Sequence, residues 1–248
     1  MPSPRPYPAP TMPWVMRQTW HDLLFMHWPV PLEALRPHIP PSLSIDTFDG
    51  QAWIAVVPFR MSDIAPRALF PVPWLSVFPE LNVRTYVIRD GKPGVWFFSL
   101  EAGNSLAVWL ARTWFKLPYF HARMKLAPSP VPTGEGLSYV SHRIHPNAPS
   151  ANFVGSYAPI APPFEAQPGS LEYFLTARYC LYTTDIADAD GRVYRGEIDH
   201  PPWPLQLAKA EVRANTMTDW LKITLPDVKP LLHFSRKLVV VVWGLEKI

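Results

Sequence analysis

One stretch of the sequence, residues 78–86, alternates between polar and apolar side chains as a half-buried strand does. Its polar face carries Glu80, Asn82, Arg84 and Tyr86. A carboxyl group there could transfer a proton, and a guanidinium group could bind a carboxylate. Same-face neighbours stand about 7 Å apart, so Glu80 and Arg84 are roughly 13 Å apart and cannot pair along the strand. The face is therefore either solvated or the polar lining of a cavity.

A second group of candidates lies in residues 111–121, where a predicted helix ends at Pro118 and a strand begins. Tyr119 and His121 share one face of that strand, which would present a phenol and an imidazole to the same surroundings. Arg112 stands near the end of the helix. A purely structural corner accounts for the segment equally well.

Histidines in two further segments are candidates because imidazole titrates near neutral pH. Asp199 and His200 lie close to Trp203 in a stretch stiffened by prolines. This group fits a surface turn as well as a site. His21 and His27, near the start of the chain, fit either a pocket lining or a core in which they satisfy backbone groups.

Sequence motifs for metal, nucleotide and hydrolase chemistry are absent: there is no GxGxxG, Walker, HExxH or GxSxG pattern. His142 and His145 lie three residues apart, which on a strand places them on opposite faces and argues against a metal site. Cys180 is the single cysteine, so neither an intrachain disulfide nor a zinc site built on several thiolates can form. We expect no metal, no cofactor and a reducing compartment.

Composition is typical of a soluble globular protein. The 248 residues are 48% hydrophobic and 17% charged, which supplies a core and excludes a disordered chain. The net charge of +3 is not gathered into a basic stripe, so we expect no nucleic-acid partner. The most apolar run, residues 238–243, is far shorter than the about 20 residues of a membrane helix, and residues 1–13 lack an export signal. We therefore expect a cytoplasmic protein with no membrane partner.

Prolines, glycines and capping residues divide the chain into short elements. The 32 prolines break long helices and are excluded from central strands, which favours a β-rich body with many turns. Asp49-Gly50 and Asp90-Gly91 predict tight hairpin turns. Asn104 and Ser170 predict the N-caps of two helices.

The predicted fold class follows from these elements. Residues 62–79 and 146–168 are predicted to be loops, and residues 203–225 give a mixed pattern. About nine strands remain, mostly joined by hairpins, which favours antiparallel pairing. We expect a mainly β protein: a closed antiparallel β-barrel or cone with a few short peripheral helices. It would form one domain over residues 14–248, after a proline-rich tail over residues 1–13.

Several segments together resemble the YqjF-like family of uncharacterised bacterial proteins. The matching stretches include HWPVP at 27–31, VPFRM at 57–61, FPELNVRTY at 78–86, GVWFFS at 94–99, RYCLY at 178–182 and PWPLQ at 202–206. They are spread over nearly the whole chain, which makes the resemblance specific. That family is in turn similar to the acetoacetate decarboxylases, which implies a closed barrel or cone with peripheral helices around one interior cavity.

The similarity to the decarboxylases also implies roles for individual positions. Glu80 corresponds to their acidic site residue, and His21 falls near an arginine of their site. Their Schiff-base lysine corresponds to Tyr119, and the lysine beside it to Phe120. A phenol cannot form an imine, because that reaction needs a nucleophilic amine. The resemblance therefore implies the decarboxylase fold without the Schiff-base reaction.

Two classes of function remain open. The first is a non-catalytic protein that binds a small, carboxylate-containing anion in its cavity. The second is an enzyme, lyase-like or hydrolase-like, that acts on a small oxo- or hydroxy-acid without an imine. The candidate residues are Glu80 and Tyr119 for catalysis and His21, Asn82, Arg84, Arg112 and His121 for substrate binding. In a competing interpretation the two arginines only neutralise interior carboxylates such as Glu80 and Glu101. A homo-oligomer is compatible with either class.

Overall fold

The computed structural model describes residues 5–71, 76–129, 136–185 and 191–248. Within them thirteen strands are formed: β1 Met16–Val30, β2 Ser44–Ile45, β3 Ala52–Pro66, β4 Phe78–Arg89, β5 Lys92–Ala102, β6 Tyr119–Ser129, β7 Gly136–Arg143, β8 Asn152–Pro159, β9 Cys180–Thr184, β10 Val193–Asp199, β11 Leu205–Asn215, β12 Leu231–Val242 and β13 Glu246–Lys247. The same ranges contain the helices α1 Leu32–Leu35, α2 Ser105–Trp114 and α3 Leu171–Thr176, and 3₁₀ turns at Arg36–His38 and Asp219–Leu221. The described chain is mostly β with few, short helices, as the sequence predicts. No helix in these ranges is long and apolar enough to cross a membrane.

The strands form one sheet whose pairings return on themselves. From β4 the pairings run through β5, β9, β10, β12, β1 and β3 and back to β4. A second closed path runs from β5 through β6, β7, β8 and β11 to β12, and returns through β1, β3 and β4 to β5. Five strands, β12, β1, β3, β4 and β5, belong to both paths. We call the first, seven-membered path the site ring.

Strands that belong to both paths send alternate side chains into different cores. On β1, Met26 joins one cluster of buried apolar side chains, whereas its neighbour Phe25 joins another. On β3, Val56 and Val57 divide in the same way. Burial on both faces explains why the middle of β3 is a continuous apolar run instead of an alternating one.

Turns and helix caps follow the local sequence signals. Asp49 and Gly50 have φ angles of 50° and 78°, and Asp90-Gly91 repeats this pattern with 51° and 70°. Positive φ at both central residues is what a type I′ hairpin turn requires. The side chains of Asn104 and Ser170 accept backbone N–H groups at the beginnings of α2 and α3. These predictions are confirmed because each depends on only a few neighbouring residues.

The predicted loop over residues 62–79 is too long. β3 continues to Pro66, and β4 already begins at Phe78. Residues 72–75, which fall within that prediction, lie outside the described residues. The strand continues because its last residues pair with β1, where Pro66 lies opposite Met16.

The predicted loop over residues 146–168 is also wrong, because it contains β8. Phe153, Gly155 and Tyr157 alternate towards the interior, and a small residue in the middle weakens the hydrophobic pattern. The mixed stretch 203–225 contains β11, which pairs with β8. Few residues of β11 are buried, so this strand has little apolar periodicity in the sequence.

The expectation of purely antiparallel pairing needs correction. β5 pairs in parallel with β6 and with β9. A parallel neighbour requires a crossover connection, and α2 supplies the one between β5 and β6. The sequence pattern shows α2 only as a helix between strands and does not indicate that it connects a parallel pair.

The described part of the proline-rich tail packs against the rest of the chain. Arg5 forms an ion pair with Glu197 of β10, and both side chains are buried. The indole nitrogen of Trp243 donates to the backbone oxygen of Met12 at 2.7 Å. These contacts bring residues 5–12 close to the end of β12.

Candidate functional site

A cavity of about 450 Å³ is lined by residues from all seven strands of the site ring. Its volume falls within the about 300–1,000 Å³ of typical small-molecule sites. The wall is mainly apolar and includes the aromatic side chains of Trp20, Phe59, Phe78, Phe97, Phe115 and Trp203. Polar side chains also face the cavity, among them Glu80, Asn82, Arg84, Tyr119 and His200.

One face of β4 supplies three of these polar groups. Glu80, Asn82 and Arg84 line the cavity, while Leu81 and Val83 pack into the core on the other side of the strand. The three polar residues are 2%, 5% and 8% exposed. The alternation predicted from the sequence is confirmed, and the polar face meets a cavity and not bulk solvent.

Glu80 is a buried carboxyl group with one strong hydrogen bond. The hydroxyl of Tyr119 donates to its Oε2 at 2.8 Å. Burial raises the pKa of Glu80 to about 8, the nearby Glu101 adds to the rise, and the bond from Tyr119 opposes it. At neutral pH the group is therefore mostly an uncharged acid that can donate a proton.

Arg84 carries a buried guanidinium group with few partners. Its Nη2 lies 3.5 Å from the backbone oxygen of Leu175, which is the outer limit of a hydrogen bond. Its Nε is buried with no hydrogen-bond partner, and Oδ1 of Asn82 is in the same situation. The guanidinium carbon lies 5.2 Å from the ring centroid of Phe25 and 5.8 Å from that of Tyr86. Among the described residues no carboxylate pairs with Arg84.

Residues in and after α3, the helix whose Leu175 contacts Arg84, also line the cavity. The indole nitrogen of Trp203 donates to the backbone oxygen of Thr176 at 2.9 Å, and both residues line the cavity. His200 lies 4.5 Å from Tyr179, ring to ring, and its Nδ1 is 2.8 Å from the backbone oxygen of Pro201. Burial lowers the pKa of His200 to about 4. The imidazole is therefore neutral at physiological pH.

Arg178, the other arginine in the cavity wall, is fully engaged. Its Nη1 lies 2.5 Å from a carboxylate oxygen of Asp46, and its Nε donates to the backbone oxygen of Phe174 at 2.6 Å. Its guanidinium carbon also lies 4.2 Å from the ring centroid of Phe174. Arg178 therefore differs from Arg84, because its charge is already paired.

Three of the predicted binding residues are not in the described cavity wall. His21 is bonded to the hydroxyl of Ser62 at 2.8 Å. Its neighbour Trp20 lines the cavity, so alternation along β1 directs His21 away from it. Arg112 donates to the backbone oxygen of Tyr119 at 2.7 Å and supports that residue from outside. His121 is only half-buried, because β6 leaves β5 at this point and pairs onward with β7.

In the competing interpretation Arg84 and Arg112 neutralise interior carboxylates such as Glu101. The pairing with Glu101 is wrong. Glu101 is paired with Arg143, whose Nε donates to it at 3.0 Å, and not with Arg84 or Arg112. Burial raises the pKa of Glu101, and Arg143 opposes that rise. No local pattern in the sequence indicates this pair, because β6 lies between β5 and β7 in the sheet.

The histidines singled out elsewhere have other partners. His27 is fully buried, and its Nε2 lies 2.6 Å from the hydroxyl of Tyr86. His142 contacts Asn152 at 2.8 Å, and His145 accepts the backbone N–H of His121. In the described ranges, no three His, Cys, Asp or Glu side chains are grouped so that they could hold a metal ion.

Comparison with known proteins gives a family. The model of the family DUF2071, described as an uncharacterised conserved protein, matches residues 17–239. The chain belongs to this family. A curated relative of this DUF2071 protein is the uncharacterised protein YqjF of Bacillus subtilis (strain 168). YqjF is 48% identical to it over 234 residues, which are 94% of this chain and 93% of YqjF. The resemblance to YqjF inferred from the sequence is confirmed.

Solved structures share the fold of this DUF2071 protein at low sequence identity. The enduracididine biosynthesis enzyme MppR complexed with pyruvate has a TM-score of 0.64 at 11% identity, over 96% of this chain and 92% of MppR. Acetoacetate decarboxylase from Legionella pneumophila has a TM-score of 0.62 at 13% identity, over 100% of this chain and 92% of that enzyme. The fold is therefore that of the acetoacetate decarboxylase-like proteins.

Replacing Glu80 with Gln tests the buried carboxyl group. Its pKa is about 8 in the folded protein against an ordinary value of 4.5. As the pH rises from about 5 to 8 the unfolded chain therefore loses this proton first, and the folded state is progressively destabilised. E80Q removes this titration. We expect the melting temperature of E80Q, minus that of the wild type, to increase steadily over this interval in thermal unfolding experiments.

Glu211→Gln is the matched control, because Glu211 is exposed on β11. Its melting-temperature difference from the wild type should not change over the same pH interval. A flat difference for E80Q would contradict the buried, protonated carboxyl group.

Proposed function

We propose that this protein binds a small, carboxylate-containing anion in the cavity of the site ring, with Arg84 as the anchor. The observation that carries the proposal is a buried guanidinium group with an unpaired Nε and no described carboxylate partner. A guanidinium group presents a planar set of donors that matches a carboxylate.

The electrostatics of the cavity favour an anion over a cation. Glu80 is mostly uncharged at neutral pH, since its pKa is about 8. Arg178 is paired with Asp46, so it contributes little net charge. Arg84 is then the charge for which the described residues provide no counterion. A buried charge without a partner is costly, and a bound carboxylate would remove that cost.

We further propose that the chain lacks the Schiff-base lysine of the decarboxylases. Tyr119 occupies the corresponding position in the sequence and donates to Glu80. None of the described residues that line the cavity is a lysine. Lys116, which is near Tyr119 in sequence, pairs with Asp185. The cyclic strand pairings support the closed barrel that the decarboxylase resemblance implies.

Catalysis without an imine is the second candidate function, and the state of Glu80 favours it. An uncharged carboxyl group that faces a cavity and is held by Tyr119 could protonate an oxygen atom of an oxo- or hydroxy-acid. Arg84 would hold the carboxylate of the same substrate. In this alternative E80Q would abolish turnover while leaving substrate binding intact.

The family match over residues 17–239 supports a single domain over residues 14–248.

Cys180, the one cysteine, is buried and unpaired, which is consistent with the reducing cytoplasm proposed for this protein.

Replacing Arg84 with Ala tests the anchor. We expect the affinity for a small carboxylic acid, with pyruvate and benzoate as probes in calorimetric titrations, to fall by about 1.5–3 kcal/mol. This is the scale of a hydrogen bond to a charged group. The melting temperature should change little, because the substitution breaks no ion pair.

The control is Arg123→Ala, which removes an exposed arginine on β6. This variant should bind like the wild type. If R84A retains full affinity or loses its stability, or if the wild type binds no carboxylic acid, Arg84 is not the anchor.

Borohydride trapping tests for a Schiff base. The protein is incubated with acetoacetate and sodium borohydride, and its intact mass is then measured. We expect no mass added in an acetoacetate-dependent manner, because no imine forms to be reduced. The parallel sample without acetoacetate reports unspecific modification. An acetoacetate-dependent adduct on any lysine would overturn the proposal.

A further inference from the structure

The two ends of the cavity differ in exposure. At the α3 end, the lining residues around Arg84 are buried: Thr176 is 3% exposed, His200 4% and Trp203 5%. At the other end, lining residues reach solvent: Leu69 is 64% exposed, Phe70 92% and Trp114 66%. As far as the described residues show, the cavity is therefore closed beside Arg84 and open between α2 and Leu69–Phe70.

Strand directions place the two ends on opposite sides of the site ring. β5 and β9 are parallel, α2 follows β5, and α3 precedes β9. β3 ends and β4 begins on the α2 side, because both are antiparallel to their neighbours in the ring. Along β4, Phe78 and Arg84 are about 20 Å apart. A molecule bound at Arg84 must extend over much of this distance to reach the opening.

The wall between these ends is almost entirely apolar. Val57, Phe59, Leu100 and Leu117 line it, together with Phe78 near the opening. The polar interruptions on β4 are Asn82 and Glu80, and the latter is held by Tyr119 and uncharged at neutral pH. A second charged group on the ligand would have no partner here. An acid of two or three carbons would leave most of the wall uncovered.

We propose that the anion is an amphipathic carboxylic acid with an unbranched hydrocarbon tail, held head-first. Its carboxylate lies at Arg84, and its tail runs past Glu80 to the opening at Phe70 and Trp114. This inference rests on the proposed function, since it uses Arg84 as the anchor. It adds the ligand class, a fatty acid of medium length, and the direction in which the ligand enters.

A series of straight-chain acids tests the tail. Acetate, butanoate, hexanoate, octanoate and decanoate are titrated below their micelle-forming concentrations. Each added methylene group buries apolar surface, so we expect Kd to fall about fourfold per methylene until the tail reaches the opening. An affinity that is highest for acetate or butanoate, or that does not change with length, would overturn the inference.

A pair of tryptophan variants on α2 tests the direction of the tail. Trp114→Ala removes a lining residue at the opening, so it should weaken decanoate severalfold and leave butanoate unchanged. Trp109→Ala is the matched control, because Trp109 is 59% exposed on the same helix and is not among the described lining residues. Both residues are exposed, so neither change should unfold the protein. Equal effects of the two variants on decanoate would overturn the proposed direction.

R84A separates this inference from the proposed function. If both hold, R84A weakens every acid of the series by a similar factor and keeps the dependence on length. If R84A binds the whole series like the wild type, the anchor is wrong and the proposed function fails. If R84A weakens all acids but length has no effect in either protein, the anchor holds and the fatty acid inference fails.

Discussion

The register of β4 between β3 and β5 is the constraint on which the candidate site depends. Side chains alternate along a strand, so a shift by one residue would exchange its two faces. In the observed register Glu80, Asn82 and Arg84 face the cavity, and Leu81 and Val83 enter the core behind them. The opposite register would bury a carboxyl and a guanidinium group in an apolar core. Burying a charged group without a partner costs free energy. The apolar face of β4 therefore packs into the core, and this directs the polar face towards the cavity.

Two interior arginines differ in how completely the protein pairs them. Arg143 pairs with Glu101, donates to the backbone oxygen of Pro149, and lies 4.1 Å from the ring centroid of Phe120. Arg84 is equally buried, but among the described residues it has no carboxylate partner, its hydrogen bond to the backbone oxygen of Leu175 is long, and its Nε is unpaired. Leaving a buried donor unsatisfied costs about 1–3 kcal/mol. Such a cost is typical of positions that are kept for binding and not for stability.

The sequence was informative where the structure depends on neighbouring residues. The alternation at residues 78–86 predicted both faces of β4, because a strand buried on one side and facing a cavity on the other keeps a period of two. The turn at Asp49-Gly50 and the cap at Asn104 were likewise set by local backbone chemistry. The interior cavity was predicted from the resemblance to a known family, because no local sequence pattern indicates a cavity.

Features that depend on distant pairings could not be predicted. The contact of Glu101 with Arg143 forms because β6 joins β5 to β7, and nothing in either segment specifies that neighbour. The resemblance to the decarboxylases implies a place for His21 in the site, whereas the direction of its side chain is set by Trp20, which takes the inward position on β1. His200 stands close to Trp203 in the sequence, but its place at the α3 end follows from the closure of the ring through β10 and β12.

A crystal structure of the protein grown with decanoate tests the central claim most directly. The account predicts density for one acid inside the site ring, with both carboxylate oxygens within hydrogen-bond distance of the Arg84 guanidinium group and the chain directed towards Phe70 and Trp114. A carboxylate at the opening with the tail at Arg84, or an acid bound only outside the ring, would contradict it.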